Sequence, residues 1–298
     1  MCAEGWGVVE SNYCRRGTGT PLVLLHNLGQ RWQVWRPVID QLAERYDVIA
    51  VDLPRLGRAP IPQTTTEDGI RAFGVRSLKR IFDHLEVSRP HVAGCGLGGM
   101  LAIAATTTGI VSSATALAPT GFWTPRQRWW VITHLRLFRI AARVSLATDP
   151  PLAELSLMRN LLISRLCEHP RRMEPTEALA NLTAMRDASA FDEAMASARQ
   201  FQWRSDPKPL VPLTVAWGER DKLMAPSQMI NAEHRLQGAE FVRLPGCGHV
   251  AMNDDPGMVA RVIVRTCARA ERGHSWGSTE VMQTYTRITE GYGRQWRG

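Results

Sequence analysis

No two cysteines in this chain stand at the C-x-x-C spacing of a metal knuckle or a dithiol redox motif. The six of them (Cys2, Cys14, Cys95, Cys167, Cys247 and Cys267) are scattered. Neither a zinc site nor a disulfide framework is expected, and the thiols read as reduced, in a cytoplasm. No metal and no other cofactor is implied. Apolar runs of membrane-spanning length are missing too, which argues against stable membrane insertion. The first ten residues lack the charged start and apolar run of a secretory signal. The net charge of +8 is carried by arginines spread over many segments, without a basic block, so a nucleic-acid partner is not expected. Aromatic residues are only 7% of the 298, yet ten of them are tryptophan. With 44% hydrophobic and 21% charged residues, the chain reads as globular, long enough for one α/β domain carrying an insertion.

What is present is organised around His91-Val92-Ala93-Gly94-Cys95-Gly96-Leu97-Gly98-Gly99-Met100. An apolar strand end runs into clustered glycines, and an alanine-rich helix over 101–107 is expected to follow. Strand, tight turn and helix are the setting of the G-x-S-x-G nucleophile elbow of α/β-hydrolases. Here that pattern reads Gly94-Cys95-Gly96-Leu97-Gly98, with glycine at the nucleophile position. Glycine accepts the elbow's backbone angles cheaply, which removes about 1–3 kcal/mol of strain together with the attacking hydroxyl.

The surrounding chain alternates short apolar strands with helices. Residues 6–16 suggest a strand or hairpin, and Leu22-Val23-Leu24-Leu25 a fully buried parallel strand. A helix is expected over 35–46, a strand over 47–52, and a helix over 67–85 with Thr66 as its N-cap. Further strands are expected at 114–118, 213–217 and 241–244. A helix near 227–236 and a last helix from Asp255-Pro256 to Gly273 complete the alternation. Between 124 and 203 the pattern is helical throughout. The expected architecture is therefore a mostly parallel sheet flanked by helices, and with the elbow it resembles the α/β-hydrolase fold. Its core spans 1–123 and 204–273, with an inserted helical cap at 124–203 and a C-terminal tail at 274–298. Arg136, Arg139 and Arg143 recur at helical spacing opposite Leu137, Ile140 and Val144, which suggests a solvated cap face.

In these segments the chain resembles the α/β-hydrolase superfamily, and its carboxylester hydrolases and enol-lactonase-like members are nearest in pattern. The resemblance rests on the elbow, on His26-Asn27-Leu28-Gly29 and on Asp52-Leu53-Pro54 with Gly57-Arg58. Trp217-Gly218-Glu219-Arg220-Asp221 and Gly246-Cys247-Gly248-His249 complete it. It implies Asp221 as the acid, His249 as the base and Gly96 as the vacated nucleophile position. It also implies an oxyanion hole formed by the backbone N–H groups of Leu28 and Leu97. Asn27 departs from the family's glycine, and Gly96 departs outright. Asp52 matches a position that orders the loop after its strand.

Asp221 hydrogen-bonded to one ring nitrogen of His249 would fix the tautomer and leave the other nitrogen as a general base. Cys95 reads as a small buried cysteine rather than a substitute nucleophile. His26, Asn27, Cys95, Trp123 and Trp130 are candidate substrate-binding residues, the tryptophans because large aromatics between a cap and strand ends suit an apolar small-molecule site. Three functional classes stay open. The first is an enzyme acting on a small apolar carbonyl, ester or lactone by His-Asp base chemistry without an acyl-enzyme (a lyase, an isomerase or cyclase, or a direct hydrolase). The second is a serine ester hydrolase inactivated by Ser-to-Gly at position 96, and the third a non-catalytic small-molecule binder. The expected partner is a small molecule, and the chain could act as a monomer or a homodimer.

Overall fold

A computed structural model describes residues 13–53, 67–148, 155–204 and 208–274. The strands come in the order β1 (Tyr13–Arg16), β2 (Thr20–Leu25), β3 (Tyr46–Val51), β4 (His91–Cys95), β5 (Ser113–Leu117), β6 (Leu213–Gly218) and β7 (Glu240–Leu244). They form one seven-stranded sheet in the order β1-β3-β2-β4-β5-β6-β7. Only β1 runs antiparallel, paired to β3. Arg15 on β1 and Asp47 on β3 add a side-chain pair at 2.6 Å across that edge.

Period-two alternation sorts the central strands onto two apolar clusters. Val23, Leu25, Ile49, Val51 and Val92 point into one, and Leu22, Leu24, Val48, Ala50 and Ala93 into the other. Both faces are covered, which is why these strands read as unbroken apolar runs.

The helices are α1 (Arg36–Ala43), α2 (Glu67–His84), α3 (Leu97–Ala105), α4 (Pro125–Ala147), α5 (Ser156–Ile163), α6 (Pro175–Asp187), α7 (Phe191–Ala198), α8 (Ser227–Arg235), α9 (Ala251–Asp254) and α10 (Pro256–His274). Helices α4 to α7 lie between β5 and β6. Thr124 caps α4 through a reciprocal box with Gln127, which satisfies two otherwise orphaned N–H groups. The helical segment shares the first cluster with the sheet, since Phe122, Trp123, Val131, Leu182 and Phe191 pack there with Leu25 and Met100.

Several expectations need correction. Helix α3 begins at Leu97 rather than Leu101, because Gly98 and Gly99 fit its first turn tightly against the strand ends. Helix α1 stops at Ala43, and Tyr46 already belongs to β3. A 3₁₀ turn over Trp32–Trp35 precedes α1, which has proline in its first turn. The solvated-face reading of α4 fails at Arg139, which belongs to the inward stripe with Leu135 and Ala142. Its guanidinium lies 4.5 Å from the Phe191 ring centroid and reaches Asp192 and the Ala188 carbonyl. Leu137, Ile140 and Val144 are instead exposed by 55–57%. The Thr66 cap, the Gly57-Arg58 loop, most of the 6–16 strand and the tail beyond 274 lie outside the described residues.

Candidate active site

The candidate residues gather at the carboxyl ends of the parallel strands, where open α/β sheets hold their ligands. Strand β4 is central, flanked by β2 and β5, and Gly96 follows it with φ 51° and ψ −111°. The elbow conformation is thus kept although no side chain rides on it. The Gly96 N–H donates to the Leu117 carbonyl at 2.9 Å, and the Gly96 carbonyl accepts from Met100 N–H at 3.0 Å and Thr120 N–H at 3.1 Å. A Cβ at Gly98 would run into the Leu25 carbonyl. Glycine there is what lets α3 meet β2 so closely.

Asp221 follows β6. Its Oδ1 accepts from the N–H groups of Leu223 and Met224 at 2.9 and 2.7 Å. Oδ2 is left for the imidazole, and His249 Nδ1 lies 2.8 Å from it. The two side chains are 0% and 2% exposed. The loop carrying His249 is anchored by Asp254, a buried carboxylate. Its Oδ2 accepts from Gly248 N–H at 2.7 Å and Glu168 N–H at 3.0 Å, and its Oδ1 from His169 N–H at 2.8 Å. Val250 N–H adds a bond to the Leu166 carbonyl, tying the His249 loop to the helical segment. Sequence reasoning missed Asp254, because Asp-Asp-Pro reads as an ordinary helix start.

The N–H groups of Leu28 and Leu97 converge on one point, and an oxygen already sits there. Asn27 Oδ1 accepts from Leu28 N–H at 2.8 Å and from Leu97 N–H at 2.9 Å. Asn27 Nδ2 stands 3.0 Å from His249 Nε2. Backbone N–H groups only donate, so the atom between them must be the amide oxygen, and the amide nitrogen must face the ring. His249 Nε2 therefore accepts, and Nδ1 carries the proton given to Asp221. A Cβ added at Gly96 would fall inside the Asn27 carboxamide. The two departures from the family pattern are thus complementary in volume: asparagine fills what the missing serine leaves. Their joint occurrence was the sequence signal, though each alone reads as a separate lapse.

Above the strand ends lies a cavity of about 850 Å³, mouth included. Its walls include Trp123, Val131, Ile132, Leu135, Met195 and Phe201. Among its described lining residues only Asn27, Thr120, Ser197 and His249 have polar side chains. Three of the candidate binding residues do not line it. His26 is buried behind the site: Nδ1 donates to the Asn27 carbonyl at 2.7 Å and Nε2 accepts from Leu53 N–H at 2.8 Å. Burial pushes its pKa down, in keeping with the neutral ring this bridge requires. Cys95 points its sulfur at the Leu25 carbonyl and Gln30, and burial pushes its thiol up to about 12. Trp130 is 40% exposed and stacks on His134 at 3.7 Å, one helical position off the inward stripe. Asp52 accepts from Trp32 N–H at 2.7 Å and so orders the loop after β2, not the loop after its own strand β3 as expected, which from residue 54 lies outside the described residues.

A model of the alpha/beta hydrolase family matches residues 22–262. The chain belongs to that family. Among α/β-hydrolase relatives, it is 42% identical over 91 residues to a soluble epoxide hydrolase of Corynebacterium sp. (strain C12), covering 30% of this chain and 31% of that protein. It is 35% identical over 105 residues to 2-hydroxy-6-oxo-2,4-heptadienoate hydrolase of Pseudomonas putida, covering 33% and 36%. These alignments span about a third of each relative's length. The thermophilic esterase of Thermogutta terrifontis superposes with a TM-score of 0.63 at 19% identity, covering 87% of this chain and 93% of that one. That likeness is one of fold.

Proposed function

We propose that this chain is an α/β-hydrolase-fold enzyme for a small, largely apolar carbonyl compound, ester or lactone. It works with His249 as general base, Asp221 as its orienter and no acyl-enzyme. One observation carries the reading: a base nitrogen and two backbone N–H groups converge on a single carboxamide, beside an elbow that offers no atom to acylate. For turnover the Asn27 side chain swings aside, which frees His249 Nε2 and both donors together. A substrate carbonyl oxygen then takes the place of Asn27 Oδ1. General-base assistance of about 10²–10⁴-fold and roughly 10²–10³-fold from an oxyanion donor suffice for an activated substrate, such as an enolisable ketone or an enol lactone. The names of two relatives, one carrying a keto-enol acid and the other an epoxide, fit a small reactive substrate. The working partner is this small molecule, in a cytoplasmic setting.

Asn27 also favours a second reading. A hole and a base both satisfied from within suit a binder that no longer turns over. Dihydrocoumarin and p-nitrophenyl butyrate distinguish the two. The enzyme reading expects turnover that His249→Ala abolishes, as hydrolysis of either probe or as proton exchange on an enolisable ketone, with the intact mass unshifted in quenched samples. Binding without turnover supports the second reading, and a substrate-derived adduct on the elbow defeats both.

A further inference from the structure

The Asn27 carboxamide presents, in one rigid three-atom unit, both features that the site can recognise. Oδ1 takes the two backbone N–H groups at 2.8 and 2.9 Å, while Nδ2, bonded to the same carbon, lies 3.0 Å from His249 Nε2. We propose that the substrate is an apolar enolisable ketone and that His249 removes a proton from the carbon next to its carbonyl. This deepens the function proposed above and rests on it.

A ketone O=C–C–H has the heavy-atom shape of the amide O=C–N–H. With its oxygen on the Leu28 and Leu97 N–H groups, its α-carbon stands where Nδ2 stands, within proton-transfer reach of Nε2. Asn27 is tethered to the backbone, but a free ligand can tilt its plane about the line joining those two atoms. Both then keep their places while the C–H bond turns out of the carbonyl plane and overlaps the C=O π system, as enolisation requires. In the step His249 Nε2 takes the proton. The C–H electron pair becomes the new C=C bond, and the C=O π pair moves onto the oxygen, held by the two N–H groups. The imidazolium, facing Asp221, returns a proton to the same carbon or to a conjugated one. The net change is hydrogen exchange or migration, with no oxidant or co-reactant. Hydrolysis asks for a different arrangement, a water oxygen about 3 Å from the carbonyl carbon and off its plane. The Asn27 atom facing Nε2 is instead covalently bonded to that carbon. The apolar walls around Trp123 and Phe201 supply no hydrogen bonds and select by shape and hydrophobic contact.

Phenylacetone in D₂O, followed by loss of its CH₂ proton signal in NMR, tests the proposal, with pocket occupancy read from tryptophan fluorescence. Wild-type protein is expected to exchange these protons about 10²-fold or more faster than buffer, and His249→Ala at the buffer rate. Asn27→Ala removes the resident competitor and is expected to raise kcat/KM for the exchange through a lower KM. Asn27→Asp places a carboxylate against both N–H groups and is expected to stop it. Exchange at the buffer rate in both wild type and Asn27→Ala, or exchange that survives His249→Ala, overturns the proposal. If dihydrocoumarin is still hydrolysed without an adduct while phenylacetone does not exchange, this inference fails and the function proposed above stands. An elbow adduct overturns both.

Discussion

Asn27 Nδ2 donates to His249 Nε2 across 3.0 Å, so the lone pair of that nitrogen is engaged by the same side chain whose oxygen accepts from the Leu28 and Leu97 N–H groups. This pairing governs what a restored nucleophile would do. Gly96→Ser places its Cβ in the Asn27 carboxamide and is expected to lower the melting temperature without creating esterase activity. Gly96→Ser with Asn27→Gly relieves the overlap, and this double variant is expected to become labelled by a fluorophosphonate at position 96. Labelling of the Gly96→Ser single variant at the same rate would show that Asn27 yields freely.

Removing the base and loosening it should differ in size. His249→Ala is expected to cost about 10²–10⁴-fold in kcat/KM on whichever probe proves to turn over. Asp221→Asn keeps the ring but weakens its hold on tautomer and orientation, so a smaller loss is expected, mostly in kcat. Equal losses in the two variants would show that the tautomer set by Asp221 is as necessary as the ring itself.

Asp254 accepts backbone N–H bonds from Gly248, Glu168 and His169. Asp254→Ala leaves these donors unpaired in a buried place, at a cost of about 3 kcal/mol, readable as a shift in the urea midpoint. The His249 loop also loses its anchor. A fall in kcat with KM held, in protein shown to be folded by circular dichroism, is the expected kinetic mark of a positioning residue.

Alkaline pH gives a further check. Burial raises the Cys95 thiol from its ordinary value near 9 to about 12. Because the folded value is the higher, the unfolded chain loses this proton first. The group's contribution is complete below pH 9 and is lost as the pH climbs towards 12. Cys95→Ala is expected to make the loss of stability between pH 8 and pH 10 shallower, measured as the change in urea midpoint. In the folded wild type, iodoacetamide at pH 8 is expected to leave Cys95 unmodified.

The strands were legible because burial on both faces writes itself as short apolar runs such as 22–25. The elbow was legible because only glycines permit the close approach at Gly94 and Gly98. Both are local signals. Arg139 was not legible in the same way: helical spacing allowed it either face, and only the packing of α7, with Phe191 and Asp192, turned it inward. Asn27 was hidden for a different reason. A polar residue after a strand-end histidine suggests ligand contact, and nothing local says that its side chain will turn back into its own site. That follows from the space left at Gly96, 69 residues away in the chain but adjacent in the fold.

A ligand for this pocket must win a contest against an occupant that never diffuses away. A group tethered so closely competes at an effective concentration on the order of millimolar or higher, and the measured dissociation constant rises in inverse proportion to the open fraction. A compound offering only a carbonyl brings nothing that Asn27 does not already supply. The advantage has to come from the remainder of the molecule, laid against Trp123, Ile132 and Met195. On the function proposed above, the closed carboxamide acts as a threshold, turning away water-like and small polar carbonyls and admitting those with enough apolar surface to displace it.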